Sequence, residues 1–466
     1  MALKLFNTLT RKIEEIKPLD GKTVRFYACG PTVYKSQHIG NYRTFITEDT
    51  LRRALAYTGN PVQFVMNITD VGHLVGDADE GEDKLEVSAR EEKKNPLDIA
   101  AFYTKEFLGD LETLNIQKPD TLLPATEAIP EQIEIITLLL EKGHAYITPL
   151  AIYFDTSSLS DYGKLTGQKL NEKEAGARDE VVRDDDKKNR TDFALWFFLE
   201  GRYKNHLLHW ESPWGTGFPG WHIECSAISR KLLGQPFDIH AGGVDHIGTH
   251  HTNEIAQSEA AYGMPLATTW VHGEFLETKE KMSKSLGNTI TVKHLTENSF
   301  NPLSFRYLTF LTHYRQKLQF SWEALEQADN AYRRLIRTVG ELLEHRKDGA
   351  VSAEYKKIFS EALLNDIKMP EAIATIWELL KDSSLSAGVK AATILDFDKV
   401  LGLNLEEQAK AIHGVRDPIA EQILIEREAA RQQKDFIKAD ALRLVLKEKG
   451  YEIDDSSTGP VLRKVV

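Results

Sequence analysis

A strand, a helix and a second strand follow one another within the first 70 residues, and this order restricts the fold more than any other feature. Residues 23–29, TVRFYAC, are rich in β-branched and aromatic residues and end at Gly30, which predicts a strand followed by a turn. Apolar residues recur at helical spacing over 44–57, and PVQFVMNITD is typical of a second buried strand. Such a βαβ unit predicts a parallel sheet that binds ligands at the carboxyl ends of its strands.

Potential metal ligands are concentrated in the segment 220–259. The candidates are Cys225, His250 and Glu254, because a thiol, an imidazole and a carboxylate together are typical of zinc sites. His250 and Glu254 are four residues apart, so a helix would place them one turn apart on one face. Structural zinc usually has four ligands, and these are three. The fourth position would be filled by another thiolate or would remain open.

The chain has two cysteines, Cys29 and Cys225, which excludes a disulfide framework. The N-terminal residues lack the apolar core of a signal peptide, and the chain contains no run of about 18 apolar residues. We therefore expect a cytoplasmic protein with no membrane partner. For Cys29 taken alone, a small buried thiol is a commoner role than a ligand.

The net charge of the 466-residue chain is −12, so a nucleic-acid partner would need a local basic surface. Residues 431–466 hold eight Lys or Arg against six Asp or Glu. By itself this small excess indicates only a solvated helix face.

Two segments have the character of phosphate-binding loops. CGPTVYKSQHIGNYRTF, residues 29–45, places glycines and His38 before a helix N-terminus, although a capped turn is the commoner explanation of such a loop. The second segment is KMSKS, residues 281–285, in which Lys281 and Lys284 could follow charge as it develops on a polyphosphate.

The second half of the chain changes in character. Residues 171–190 are polar and predict an exposed connection. After Asn301, helical periodicity dominates, with Ser321 as a candidate N-cap, and the last residues predict a short hairpin.

These motifs carry a resemblance to a known family. HIGN and KMSKS resemble the two signatures of class I aminoacyl-tRNA synthetases, and KMSKS is identical to its signature. FNTLTRKIEE, YACGPTVY, NITDV, WESPWGTGFPGWHIECSAIS and HHTNEIAQSEA resemble the cysteinyl-tRNA synthetase family in order and spacing, and KDFIKADALR resembles its anticodon-binding end. The resemblance covers nearly the whole chain.

The resemblance implies an α/β fold of six segments. Residues 1–115 and 191–270 would form the two halves of a Rossmann-like catalytic domain with a parallel sheet, and 116–190 a connective insertion. Residues 271–300 would hold the KMSKS loop, 301–410 an all-α helical bundle, and 411–466 a small anticodon-binding domain.

The resemblance also implies one zinc ion per chain, with Cys29 as the fourth ligand beside Cys225, His250 and Glu254. The substrate L-cysteine would bind to this zinc through its thiolate. Shape alone distinguishes cysteine from serine by only about 1–3 kcal/mol, so we expect zinc to supply the selectivity and no editing domain.

Further roles are implied residue by residue. The amino-acid pocket would be formed by Gly30, Thr69, Trp221 and His240. ATP, bound with Mg²⁺, would contact His38, Gly40, Asn41, Gly242, Asp245 and Lys284. The catalytic residues would be Lys281, Lys284 and His38. The tRNA(Cys) partner would be contacted by Arg427, Arg431 and Arg443.

The sequence leaves open the role of Trp221, the role of His240 and the choice of the metal-binding histidine. A core role is the commoner one for Trp221 and is equally expected for His240. The family's usual residues are replaced over 71–84 and 246–249, which leaves His246 and His251 as competing metal ligands.

The predicted function is that of a monomeric cysteine–tRNA ligase. The alternatives are a ligase that transfers cysteine to a small amine and a non-catalytic RNA-binding protein derived from a synthetase. The C-terminal module argues against the first alternative, and Lys281 and Lys284 argue against the second.

Overall fold

The computed structural model describes residues 2–74, 81–167, 186–278, 289–344, 349–413, 418–456 and 459–464. In chain order, its strands are β1 (Lys4–Asn7), β2 (Lys12–Glu15), β3 (Val24–Ala28), β4 (Val62–Ile68), β5 (Thr121–Pro124), β6 (Ala145–Ile147), β7 (Ala151–Phe154), β8 (Phe193–Phe198), β9 (Gly217–Pro219), β10 (Phe237–Gly243), β11 (Ala267–Gly273), β12 (Leu276–Glu277), β13 (Leu318–Gln319), β14 (Tyr451–Ser456) and β15 (Gly459–Lys464).

The helices are α1 (Ile39–Tyr57), α2 (Lys84–Glu92), α3 (Pro96–Thr113), α4 (Ile129–Glu141), α5 (Trp221–Leu233), α6 (Asp245–Gly248), α7 (His250–Tyr262), α8 (Val292–Glu297), α9 (Pro302–Phe310), α10 (Trp322–Glu344), α11 (Ala353–Leu364), α12 (Met369–Lys381), α13 (Ala387–Leu401), α14 (Leu405–His413), α15 (Pro418–Gln432) and α16 (Phe436–Glu448).

The central sheet confirms the predicted βαβ unit and its parallel direction. Its strands lie in the order β11-β10-β3-β4-β5, and neighbouring strands are parallel. The two predicted strands are β3 and β4, connected by α1. This helix begins five residues before Thr44, because the imidazole of His38 accepts a hydrogen bond from Asn41 N and caps its N-terminus.

The two halves of the chain meet where β10 pairs with β3. The register joins Ile239 to Phe26 and Ala241 to Ala28, and Cys29 N donates to Ala241 O at 3.3 Å. Residues more than 200 positions apart are therefore adjacent at the carboxyl edge of the sheet.

A second sheet, of antiparallel strands, has the order β6-β7-β8-β9. Its β6 and β7 form the hairpin at AYITPLAIYFD. Every residue of β8, FALWFF, is buried, which explains why this strand is apolar without alternation.

The chain forms two compact units. The first comprises Met1–Glu326 and Ile358–Ala374, and it contains both of these sheets. The second comprises Gln327–Lys357 and Thr375–Val466, and it is mainly helical, with β14 and β15 as an antiparallel terminal hairpin. The division into six segments stays a prediction.

Glu48 is a buried carboxylate on α1, with 3% of its surface exposed. Within the described residues, neither of its oxygens has a hydrogen-bond partner. Burial raises its pKa well above the usual carboxylate range. The folded state therefore binds a proton more tightly than the unfolded state, so stability is lost as pH rises from the ordinary carboxylate pKa towards the raised one.

We expect Glu48→Leu to stabilise the protein at pH 8 by about 1–3 kcal/mol, because it removes an unsatisfied buried polar group. Thermal unfolding of the variant and the parent, measured at pH 5 and pH 8, should show the larger difference at pH 8. The matched control is Glu326→Leu at an exposed position of α10. A Glu48→Leu effect that is the same at both pH values would contradict the assignment.

Candidate functional site

The predicted metal ligands converge from three parts of the chain. Cys29 directly follows β3, Cys225 lies on α5, and His250 and Glu254 lie one turn apart on α7. Helices α5 and α7 pack against each other, and α5 also packs against β3 and β4. We call these four residues the metal centre.

The geometry of the metal centre suits a metal ion with tetrahedral coordination. One ligand atom from each residue lies within 4.8 Å of the others, and all four residues are buried. The Cys29 and Cys225 Sγ atoms are 3.9 Å apart, and His250 Nε2 lies 3.2 Å from Glu254 Oε1. Two sulfurs bound at about 2.3 Å to one tetrahedral ion would lie about 3.8 Å apart. The donor set therefore fits zinc.

A second donor set overlaps the first. Cys29 and Glu254 also lie within 4.8 Å of donor atoms of His240 and His251. His251 Nε2 is 3.3 Å from Cys29 Sγ, and His240 Nε2 lies 2.9 Å from Glu254 Oε2. Only the first set keeps both thiols, the ligands that borderline-soft metals favour. The choice of His250 over His251 stays a prediction.

Burial controls protonation in the metal centre. It raises the pKa of Cys29 well above its usual range and raises the pKa of Cys225 to about 12. It also lowers the pKa of His250, so that this imidazole is neutral and keeps a lone pair. Because a coordinating cation deprotonates thiols, metal binding here would release protons.

Further imidazoles contact the two competing candidate ligands, His250 and His251. His250 Nδ1 lies 3.0 Å from His222 Nδ1. His251 Nδ1 lies 2.8 Å from His272 Nε2, whose other ring nitrogen is 2.8 Å from Thr8 Oγ1. Partners of this kind orient the rings of metal-binding histidines. Sequence reasoning missed His222 and His272, which no spacing distinguishes from core residues.

The four predicted amino-acid pocket residues are placed by β3, β4, β10 and α5. Gly30 N donates to Asn67 Oδ1 at 2.8 Å, and a side chain at Gly30 would collide with the Asn67 carbonyl. Thr69 Oγ1 donates to a carboxylate oxygen of Glu224. The Trp221 ring lies 4.3 Å from that of His250.

His240, the fourth of these residues, lies on β10 and is completely buried. Its Nε2–H donates to Glu254, which leaves Nδ1 as an acceptor, and among the described residues Nδ1 has no hydrogen-bond partner.

The predicted ATP contacts lie at two helix N-termini. His38 and Asn41 cap each other at the start of α1, since each side chain accepts from the other's backbone N–H at 3.2 Å, and Gly40 lies between them. Gly242 lies near the end of β10, where a Cβ would come within 2.8 Å of two histidine rings, and Asp245 begins α6. Lys281 and Lys284 lie outside the described residues.

Comparison with known proteins decides the family. The family model described as the tRNA synthetases class I (C) catalytic domain matches residues 15–330. The chain is 42% identical over 461 residues to cysteine–tRNA ligase 1 of Burkholderia lata, covering 98% of this chain and 96% of that protein. It is 39% identical over 496 residues to the cysteine–tRNA ligase of Treponema denticola, covering the whole of both. The chain belongs to the cysteine–tRNA ligase family.

The fold agrees with this family. The structure is similar to that of Mycobacterium tuberculosis methionyl-tRNA synthetase bound by methionyl-adenylate, with a TM-score of 0.54 and 15% identity, covering 83% of this chain and 92% of that one. The resemblance to class I synthetases and the predicted α/β fold class with a helical C-terminal region are confirmed.

The three candidate tRNA contacts of this cysteine–tRNA ligase family member lie in the second unit, on α15 and α16. Arg431 and Arg443 are exposed, whereas Arg427 is 8% exposed and donates to Glu428. Their roles stay predictions. In the described parts of the chain, no helix is both long and apolar enough to span a bilayer.

The two donor sets predict different outcomes for two substitutions. His250→Ala should abolish stoichiometric binding of a divalent metal, because it removes a ligand from the set with two thiols. His251→Ala should retain about one metal ion per chain, because His251 then only packs beside that set. Elemental analysis of the purified variants measures this. Retention by His250→Ala together with loss by His251→Ala would identify the second set as the ligands.

Proposed function

We propose that this chain is a zinc-dependent cysteine–tRNA ligase. It activates L-cysteine with ATP and Mg²⁺ to cysteinyl-adenylate, and it then transfers cysteine to the terminal adenosine of tRNA(Cys). Membership of the family over the full length supports the reaction. In the structure itself, the observation that supports cysteine as the amino acid is the buried metal centre beside Trp221.

Zinc in the metal centre would supply a preference for thiolate over hydroxyl and would lower the pKa of a bound thiol. We infer that the proposed ligands are pre-organised, because Cys225, His250 and Glu254 lie on helices α5 and α7 and Cys29 directly follows strand β3. Such pre-organisation limits the reorganisation that binding costs.

The residues around the metal centre would orient the amino acid. Thr69 already accepts from Asn67 Nδ2 at 3.0 Å and donates to Glu224, so its hydroxyl is held in one direction. His240 Nδ1, which has no hydrogen-bond partner among the described residues, can accept one hydrogen bond, which suits the ammonium group of an amino acid. We assign Gly30 and Trp221 to the walls of the same pocket.

ATP would bind between the start of α1 and the end of β10, with contacts from His38, Gly40, Asn41, Gly242 and Asp245. The substrate's own carboxylate attacks the α-phosphate, so the protein needs no nucleophile of its own. Its task is to position the two substrates and to stabilise the charge on the leaving pyrophosphate. We assign this stabilisation to Lys281 and Lys284, with His38 at the phosphates.

We assign the surface of α15 and α16 to the anticodon region of the tRNA, where unpaired bases are available to side chains. The exposed Arg431 and Arg443 support this assignment, whereas Arg427 would act mainly by supporting the helix surface. The cytoplasm is the expected compartment, since the metal centre needs Cys29 and Cys225 reduced. The monomeric state stays a prediction.

Cysteine should support ATP–pyrophosphate exchange far better than serine. The shape of a pocket alone discriminates between two such amino acids by roughly 10- to 200-fold. With zinc bound, the preference for cysteine over serine should exceed this range. Cys225→Ser should lose bound zinc and raise the KM for cysteine by about 100-fold or more, since even residues that only support metal ligands contribute 10- to 100-fold. Normal zinc content in Cys225→Ser would refute the ligand assignment.

The second half-reaction separates the proposed function from its alternatives. The parent protein should charge tRNA(Cys) with cysteine. Exchange without charging would indicate a ligase for a small amine. A protein that contains zinc but shows neither activity would be a binding protein.

Lys284→Ala should lower the rate constant of pyrophosphate exchange by roughly 100- to 1000-fold, which is the usual contribution of one group that stabilises developing charge. Because this contact strengthens only in the transition state, the KM for cysteine should change little. Steady-state exchange kinetics at varied cysteine and ATP measure both quantities. An effect confined to the KM for cysteine would contradict the role.

A further inference from the structure

An imidazole outside the metal centre packs on the face of Trp221. His73 and Trp221 are stacked with ring centroids 4.1 Å apart and planes 6° apart. The Trp221 ring also lies 4.3 Å from the His250 ring. His73 is 8% exposed, so this contact is largely shielded from water. Trp221 thus lies in contact with both His73 and a proposed metal ligand.

Both ring nitrogens of His73 are engaged. Nδ1 lies 2.8 Å from Thr32 Oγ1, and Nε2 lies 2.7 Å from Lys84 Nζ. A lysine ammonium can only donate, so Nε2 must accept. The proton of the neutral ring is then on Nδ1 and is donated to Thr32. These two partners fix the tautomer and the plane of the ring, and therefore the face that it presents to Trp221.

The chain around His73 is itself held against α5. Lys84 N donates to His73 O at 3.0 Å, and Gly72 N donates to Asp83 Oδ2 at 2.7 Å. Gly72 packs so closely on β9 that a Cβ would come within 2.4 Å of Pro219 O. Gly72, His73, Asp83 and Lys84 therefore form one support for the N-terminus of α5.

These contacts join the segments that carry the two thiols. Thr32 lies three residues after Cys29, and Trp221 lies four residues before Cys225. His73 contacts both Thr32 and Trp221. A change at His73 would therefore move the wall of the amino-acid pocket without removing a ligand.

We propose that His73 is a positioning residue for the amino-acid site, and that Lys84 acts through it by holding the imidazole in the orientation that stacks on Trp221. This inference rests on the proposed function, because it assigns Trp221 to the cysteine pocket. His73 is not one of the four proposed metal ligands. Its loss weakens cysteine binding and leaves ATP binding unchanged.

The test uses the full-length zinc-loaded protein in cysteine-dependent ATP–pyrophosphate exchange. His73→Ala should raise the KM for cysteine by roughly 5- to 15-fold, the combined contribution of a ring stack and its hydrogen bonds. The KM for ATP should stay within twofold, and the zinc content should stay at about one per chain. His73→Phe keeps a flat ring, so it should restore most of the affinity for cysteine.

A double-mutant cycle tests the role of Lys84. Lys84→Met should raise the KM for cysteine by about threefold in the parent, because it removes one hydrogen bond to His73. In the His73→Phe background the same change should have almost no effect, because Nε2 is gone. Lys105→Met, at an exposed position on α3, is the matched control and should not alter either KM.

Three outcomes would overturn the inference. They are an unchanged KM for cysteine in His73→Ala, an equal rise in the KM for ATP, and a Lys84→Met effect that persists in His73→Phe. A purely structural role would instead lower the fraction of active protein with both KM values unchanged. Failure of the parent itself to catalyse exchange with cysteine would refute the proposed function, which distinguishes the two failures.

Discussion

The site depends on the burial of thiols, imidazoles and a carboxylate in one small space. Cys29 and Cys225 lie within a cluster of apolar side chains that includes Tyr27 and Trp270. In such surroundings water cannot solvate a charged group. Burial therefore raises the pKa values of the thiols and lowers the pKa of His250. A divalent cation reverses this situation, because it stabilises the thiolates that the protein alone disfavours.

The parallel sheet brings these groups together. Strands β3 and β10 pair in parallel, so their carboxyl ends form one edge, and Cys29 meets the candidate ligands of α5 and α7 there. Glycines at this edge make the close approach possible. Gly30 packs on the Asn67 carbonyl, and Gly242 packs on two histidine rings. The same sheet edge thus supports the metal centre and the proposed ATP site, which adenylate formation requires to be adjacent.

Around the metal centre, polar side chains restrict one another. His222 and His272 contact the rings of His250 and His251, and Thr69 is held by Asn67 and Glu224. His73 extends this arrangement to the segment after β4. Each of these side chains limits the motion of a neighbour, so the proposed amino-acid selectivity would depend on more residues than the candidate ligands alone.

The sequence by itself determined the elements and much of the donor set. Local periodicity predicted β3, α1 and β4, the four-residue spacing predicted that His250 and Glu254 share a helix face, and the motifs identified the family. The tertiary structure decided which of these elements meet. Cys29 and Cys225 are 196 residues apart in the chain, and spacing along a chain contains no information about such a contact.

For the same reason, the sequence did not identify His73 beside Trp221, His222 beside His250, or the overlap of two donor sets at Glu254. These neighbours are set by the packing of α5, α7 and the loop after β4, which depends on the complementary shapes of distant surfaces.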